Sequence, residues 1–330
     1  MENVTIADVA KAAGVSVTTV SRFINQNYGK MSPATKSKIE NVIQKLNYHP
    51  SASARGMRTK RSNLIGVVVG DISNVFSSRL FSGIYDILQP QNYSVLLLNA
   101  NNSATEETKG IDRLLEQQID GLIIQPSQND FNNYQFITAA DIPFVTVDRY
   151  LQNQPQTIRK VTTNNLQASQ QTAAELLQAG YQRFILISDL AVPTSAQIPR
   201  IAGFSALTNN ITTLNVANHP DSWLTAQLQQ LLPEVTEKTV IVSLMGPLLF
   251  KALASLRQLN ITFPDQVGLI SFDDWNWAQF VNNGIDLIQQ DPFKMGQSAA
   301  KALLATMQKQ PSVNSNTITI PAQRIKGHSL

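Results

Sequence analysis

No cysteine occurs in the 330 residues, which excludes a disulfide framework, a thiolate metal or iron–sulfur site and a thiol nucleophile, since each needs the sulfur itself. Histidine is scarce. His49, His219 and His328 are the only three, and none has the spacing of a metal site or of a serine–histidine relay. No GxGxxG follows an apolar run and no GxxxxGKS or GxxxxGKT occurs, so a dinucleotide or P-loop nucleotide would find no usual phosphate cradle. No stretch approaches the ~18 unbroken apolar residues of a membrane span. The start, MENVTIADVAKAAG, has neither the basic nor the long apolar region of a secretion signal. These absences lead us to expect a cytoplasmic protein with no membrane contact, no metal and no cofactor. With 43% apolar and 15% charged residues, the chain has the balance of a folded protein, long enough for two or three globular units.

Its charge is unevenly placed. Residues 1–61 hold ten Lys/Arg against three acids, a net +7, whereas the remainder holds 16 basic against 20 acidic residues, a net −4. A small basic module joined to a larger, mildly acidic body points to polyanion binding by the module.

Local pattern sharpens that reading. Thr5 followed three residues later by Asp8 is a capping-box pattern, and Ile6, Val9, Ala10 and Ala13 recur at helical spacing. Gly14 permits the left-handed backbone that ends a helix, Val15 plugs the core, and Ser16 caps a second helix running through Val20, Ser21, Phe23 and Ile24. Ser32-Pro33 opens a third helix with Ile39, Val42, Ile43 and Leu46 on one face. A three-helix head over residues 1–48, with a tight turn before a polar and basic second helix, suits insertion into a major groove. A generic small bundle is the competing reading. Residues 49–61 have too little apolar content to fold alone and read as a hinge or plain linker. There Pro50 can start a short helix that presents Ala54, Arg55 and Met57 to a groove.

From residue 62 to 330 the rhythm changes. Apolar runs at 64–69, 93–98, 121–124 and 144–147, and again at 183–187, 240–244 and 267–271, alternate with helical patterns. Continuous apolar strands between helices indicate parallel sheets buried on both faces. The fold class is therefore α/β, in two similar lobes behind the helical head. Polar residues cluster just after the strand ends: Asp71, Ser73 and Asn74, then Asp148 and Arg149, then Asp273 and Asp274. Ligands of open α/β sheets bind at that edge. The adjacent Asp273 and Asp274 are poorly placed to act as a glycosidase pair, because neighbouring residues leaving a strand point in different directions. Binding, not catalysis, is expected.

The head sequence Val4-Thr5-Ile6-Ala7-Asp8-Val9-Ala10-Lys11-Ala12-Ala13-Gly14-Val15-Ser16, then Thr19-Val20-Ser21-Arg22 and Leu46-Asn47-Tyr48-His49-Pro50, resembles the LacI/GalR family of bacterial transcription regulators. The likeness runs on through Leu64-Ile65-Gly66, Asp71-Ile72-Ser73-Asn74, Asp120-Gly121-Leu122-Ile123, Asp148-Arg149, Arg200-Ile201-Ala202-Gly203-Phe204 and Phe272-Asp273-Asp274, and so covers essentially the whole chain. It implies a periplasmic-binding-protein-like body that dimerises and holds a sugar or sugar-acid effector, and two heads that read a near-palindromic operator in double-stranded DNA. It also implies hinge helices that meet in the minor groove. A repressor of carbohydrate-utilisation genes is the implied function. A solute-binding protein shares the body but has no use for a basic head.

Carried over by position, the DNA-contacting residues are Thr5, Ser16, Val17, Thr18, Thr19, Ser21, Arg22 and Asn25 of the head and Ala54, Arg55 and Met57 of the hinge. Val17, Thr18 and Arg22 read bases, Arg22 through a bidentate contact to guanine or else as a phosphate contact. Ser16, Thr19 and Ser21 serve as phosphate or capping groups. Met57 stands where leucine is common. For the effector, the resemblance nominates Asn74, Phe76, Ser77, Asp148, Arg149, Arg200, Trp223, Asp273 and Gln290. The charged members can equally form structural ion pairs, and Phe76 and Trp223 can equally be core. Where many relatives place an Asn-Asp pair, this chain reads Leu244-Met245-Gly246-Pro247, so its effector is expected to depart from the usual neutral sugars. Asn25–Ser32 and Phe272–Trp277 are similar to the branch that responds to sugar acids such as 2-keto-3-deoxygluconate. The C-terminus, Arg324–Leu330, has no leucine heptads, so a dimer rather than a tetramer is expected.

Overall fold

The computed structural model describes residues 4–24, 27–29, 31–48, 61–149, 151–191, 196–232, 237–273, 277–309 and 315–330. The chain separates into two compact units, Met1–Ser62 and Asn63–Leu330.

The first unit is built from α1 (Ile6–Ala13), α2 (Val17–Ile24) and α3 (Pro33–Lys45). Each start has its local cause. The Thr5 hydroxyl accepts the Asp8 N–H at 3.3 Å, and the Asp8 carboxylate accepts the Thr5 N–H at 2.8 Å, so two otherwise unpaired helix-end donors are satisfied reciprocally. Gly14, at φ 61°, turns the chain out of α1, a conformation that costs a side chain but not glycine. Ser16 Oγ then accepts the Thr19 N–H at 3.2 Å. Ser32 does the same for Thr35 at 3.2 Å, and Pro33 occupies the first position of α3, where its missing N–H is not needed. The inward faces of the three helices bury Val9, Ala10, Ala13, Val20, Ile39 and Tyr48, with Val15, Phe23, Val42 and Leu46 packed against them.

The second unit begins with β1 (Leu64–Val69), α4 (Val75–Leu88), β2 (Ser94–Asn99), α5 (Ala104–Glu116), β3 (Gly121–Ile124), α6 (Gln135–Ala139), β4 (Phe144–Val147) and β5 (Lys160–Thr163). A second run follows: α7 (Asn165–Gln178), β6 (Arg183–Ser188), α8 (Gln197–Ser205), β7 (Ile211–Asn215), α9 (Asp221–Leu231), β8 (Thr239–Ser243), α10 (Gly246–Gln258), β9 (Gly268–Phe272) and β10 (Asp286–Gln289). The chain then returns through α11 (Pro292–Met307) to β11 (Thr317–Ile320) and finishes with β12 (Gln323–Ile325). Two six-stranded sheets result, ordered β11-β5-β4-β3-β1-β2 and β12-β10-β9-β8-β6-β7. Every pairing is parallel except β10 with β12. The two orders coincide strand for strand from β1–β5 to β6–β10, so β4 and β9 hold equivalent places.

The parallel strands follow from their sequences. β3, β4, β8 and β9 are buried along their whole length, and β1 and β6 all but their first residue, as sheets covered by helices on both faces require. The first lobe packs α4 and α11 on its sheet through Leu80, Ile84, Met295, Ala299 and Leu303. These two helices touch backbone to backbone. A Cβ on Gly83 would collide with the Phe293 carbonyl, and one on Gly296 with the Leu80 carbonyl. Because α11 belongs to the first lobe, the chain crosses between lobes three times, near residues 164, 290 and 322. Among the described residues no helix is long and apolar enough to cross a membrane.

Candidate functional site

In the first unit, the second helix divides cleanly. Val20 faces the core, with Phe23 and Ile24 beside it, while Ser16, Val17, Thr18 and Arg22 are exposed and Thr19 and Ser21 half-buried. Val17 is 46% exposed, an apolar side chain that the core does not claim. Thr19 shares its hydroxyl with Ser16 at 2.9 Å, and the Thr5 hydroxyl donates to Asp8 at 2.6 Å. The structure therefore gives Thr5, Ser16 and Thr19 helix-capping bonds, and leaves Val17, Thr18 and Arg22 on an open face. Asn25, Ala54, Arg55 and Met57 lie outside the described residues.

In the second unit, the carboxyl ends of the strands from both lobes converge on a cavity of about 130 Å³. Asp148 follows β4 and Asp273 follows β9, the two equivalent strands, and both take the left-handed backbone, at φ 64° and 58°. Aspartate tolerates that conformation better than most residues, and its use twice at strand ends turns both carboxylates into the cleft. Each carboxylate is held by an amide. Gln125 Nε2 donates to Asp148 at 2.7 Å, and the backbone N–H and Nε2 of Gln290 donate to Asp273 at 2.9 and 2.6 Å.

Two guanidinium groups line the same cavity. Arg149 donates to the Pro126 carbonyl at 3.2 Å and to Asn102 Oδ1 at 2.5 Å. Arg200 donates through Nε to Asn165 Oδ1 at 2.8 Å and through Nη1 to the Leu244 carbonyl at 2.6 Å, with its plane 4.0 Å from the Phe272 ring. Among the described residues no ion pair joins Asp148, Arg149, Arg200 and Asp273 to one another. Burial pulls both guanidinium groups below their usual range, opposed at Arg149 by Asp148 and Glu107 and at Arg200 by Asp273 and Asp148. Burial also pushes the Asp273 carboxyl up, opposed by the Arg200 charge and the bonds from Gln290. Four ionic groups thus share one cleft, each anchored by a neutral carbonyl or amide. Their remaining lone pairs and N–H groups stay available, and a desolvated charge without such a partner is costly.

Of the sequence-nominated set, Asn74, Phe76, Asp148, Arg149, Arg200, Asp273 and Gln290 line this cavity. Ser77 lines an adjoining one of about 210 Å³, which shares Asn74 and Arg149 with the first. Asn74 also caps α4, accepting the Phe76 N–H at 3.0 Å. Trp223 is not brought to either cavity. It packs against the core of the second lobe, its ring stacked on His219 at 4.1 Å, because α9 presents that face inward. Trp277 packs at a tilt against Phe250, with ring centroids 4.3 Å apart, while Asp274 and Trp275 lie outside the described residues. The sequence reading missed Asn102, Gln125, Asp189, Gln197 and Met245, which also line the cavity. Gln125 and Asp189 were findable, since each follows a buried strand as Asp148 does. Met245, whose Sδ accepts from Gln197 Nε2 at 3.6 Å, gives the cleft one soft, largely apolar wall.

Comparison with known proteins places this architecture. Residues 5–51 match the family described as bacterial regulatory proteins, lacI family. Residues 62–215 match periplasmic binding proteins and sugar binding domain of LacI family, and residues 173–330 match the periplasmic binding protein-like domain. The HTH-type transcriptional regulator KdgR of Bacillus subtilis (strain 168) is 30% identical over 333 residues, covering 99% of this chain and 97% of that protein. A crystal structure of a LacI transcriptional regulator from Lactobacillus brevis superposes with a TM-score of 0.72 at 27% identity, over 79% of this chain and 99% of that one. The lac repressor dimer bound to operator superposes with a TM-score of 0.84 over 99% of both chains, at 21% identity, a likeness of fold. A helix-turn-helix head followed by a two-lobed binding body, matched over nearly its whole length by such a regulator, identifies the chain as a member of the LacI family of bacterial transcription regulators.

Proposed function

We propose that this regulator represses carbohydrate-utilisation genes by binding a near-palindromic operator as a dimer, and that a sugar or sugar acid held in the cleft controls it. In this reading residues 1–48 are the DNA-binding head, 49–61 the hinge and 62–330 the effector-binding and dimerisation body. The compact units Met1–Ser62 and Asn63–Leu330 support that division. The protein works in the cytoplasm, where its DNA is, and binds its ligand without transforming it. Val17, Thr18 and Arg22 read base edges, Arg22 by donating twice to guanine.

The observation that carries the effector assignment is the set of unpaired charges. Asp148, Arg149, Arg200 and Asp273 line one cavity without ion-pairing among the described residues. A ligand rich in hydroxyls satisfies both kinds at once, donating to the carboxylates and accepting from the guanidinium groups in charge-assisted bonds. Met245 and Phe76 supply the apolar surface that a carbon skeleton needs.

The test is calorimetric titration of the full-length protein with neutral pentoses and hexoses, their phosphates, and keto acids including 2-keto-3-deoxygluconate. Binding of at least one, weakened at least about 30-fold by Asp273→Asn or Arg200→Met, is expected from the loss of charge-assisted bonds. Failure of the whole panel to bind, or binding indifferent to both substitutions, would overturn the assignment.

A further inference from the structure

Behind the cleft lies a carboxylate that lines neither cavity. Glu107, in the first turn of α5, is 0% exposed. Both its oxygens accept hydrogen bonds, one from the Tyr134 hydroxyl at 2.5 Å and the other from the Ser127 N–H at 2.7 Å. Tyr134 in turn accepts the Gln128 N–H at 3.1 Å. Four consecutive residues after β3 therefore each hold one member of a chain of groups. Gln125 holds Asp148, Pro126 holds Arg149, Ser127 holds Glu107 and Gln128 holds Tyr134. The other partner of Arg149, Asn102, stands just ahead of α5, whose N-terminus carries Glu107. Glu107 thus braces from behind both segments that position Arg149, and its charge acts on that guanidinium.

A carboxylate kept fully buried has to be offset, and here the offset comes from two donors, the start of a helix and Arg149. The electrostatics are reciprocal. To the extent that Arg149 is compensated by Glu107 and Asp148, it has less charge to offer an anionic ligand, whereas a neutral hydroxyl still finds its N–H groups.

We infer that Glu107 is a positioning residue and buried counter-charge of the cleft, which fixes the 125–128 loop and sets how strongly Arg149 favours carboxylate-bearing over neutral polyhydroxylated effectors. The inference rests on the carbohydrate reading of the cleft. Its chemistry separates the two roles. Bracing acts alike on every ligand, and the counter-charge acts on anions alone.

D-Gluconate and D-glucitol differ only at C1, a carboxylate against a neutral CH₂OH, and serve as the probe pair, titrated over a series from about pH 6 to about pH 9 because burial raises the Glu107 carboxyl. Glu107→Gln is expected to raise the gluconate-to-glucitol affinity ratio roughly tenfold, the effect of removing one unit charge on the order of 10 Å from the ligand carboxylate at an effective dielectric near 20. Tyr134→Phe retains Glu107 and loses one brace. It is expected to weaken both ligands, and it tests the bracing role should Glu107→Gln fail to fold. An unchanged ratio in Glu107→Gln, or wild-type affinities in Tyr134→Phe, overturns the inference. If neither compound binds the wild-type protein, a ligand-free double-mutant cycle decides the inference, while the carbohydrate reading stands or falls on the wider panel above. Glu107→Gln and Arg149→Met are then combined and unfolding in urea is measured. Departure from multiplicative behaviour by about fivefold or more in the unfolding constant supports the counter-charge, and agreement within about twofold overturns it.

Discussion

Arg200→Met separates a charge kept for a ligand from one kept for stability. The substitution deletes two hydrogen bonds from a charged donor, to Asn165 and to the Leu244 carbonyl, worth about 1.5–3 kcal/mol each. The contact with the Phe272 ring adds about 1–2 kcal/mol. Against that loss of about 4–8 kcal/mol stands the desolvation of a guanidinium that is 2% exposed, several kcal/mol that methionine does not incur, while the methionine stem retains the packing. The two sides nearly cancel, so the ligand-free variant is expected to unfold in urea within about 2 kcal/mol of wild type. The ligand feels no such cancellation. Losing charge-assisted bonds to its hydroxyls is expected to weaken binding about 30- to 1,000-fold. Operator binding should survive and its response to effector should be lost. A variant destabilised by more than about 4 kcal/mol with unaltered effector affinity would refute this reasoning and make Arg200 a purely structural cation.

Three other outcomes follow from particular contacts. Burial raises the carboxyls of Asp273 and Glu107, so the native protein holds protons that the unfolded chain has already released. Ligand-free stability should therefore fall as pH rises from the ordinary carboxylate range through the raised values, and urea midpoints between about pH 4 and pH 8 should show a flatter fall in Asp273→Asn. An identical slope in that variant would contradict the shift. Gly83→Ala drives a methyl into the Phe293 carbonyl and should lower stability by about 1–3 kcal/mol, read from the urea midpoint. Thr5→Ala removes the reciprocal cap of α1 and should cost the head about 1 kcal/mol, measurable by circular dichroism on heating the full chain.

Much of this architecture is written in local pattern. Thr5 with Asp8, Gly14, and Ser32 with Pro33 mark helix ends by side-chain chemistry that acts within four residues, and the structure puts the caps there. The buried parallel strands announce themselves as apolar runs because both their faces are covered. β5, β7, β10, β11 and β12 do not. Lys160–Thr163 and Gln323–Ile325 are short and polar, and only their place at a sheet flank makes them strands. The same limit governs the cleft. Asp148 and Asp273 were legible because they end apolar strands, but that they are equivalent, each left-handed and amide-held, depends on the coincidence of two sheet orders. Trp223, nominated as a sugar-covering ring, packs half-buried against the second-lobe core, since nothing local tells which face of α9 turns inward. Glu107 carried no signal in sequence. A glutamate in the first turn of an amphipathic helix reads as an ordinary surface charge until the loop after β3 is seen to close over it.

Coupling of a DNA-reading helix to a ligand cleft is tested by selection of duplexes from a randomised pool by the purified full-length protein, with and without its cleft ligand. Enrichment of an inverted repeat is expected, bound with a steep dependence on salt because Lys and Arg displace counterions from phosphates. Recovery should change when the ligand is added and be lost in Arg22→Ala. No enrichment at any salt concentration, or enrichment that Arg22→Ala leaves intact, would contradict it.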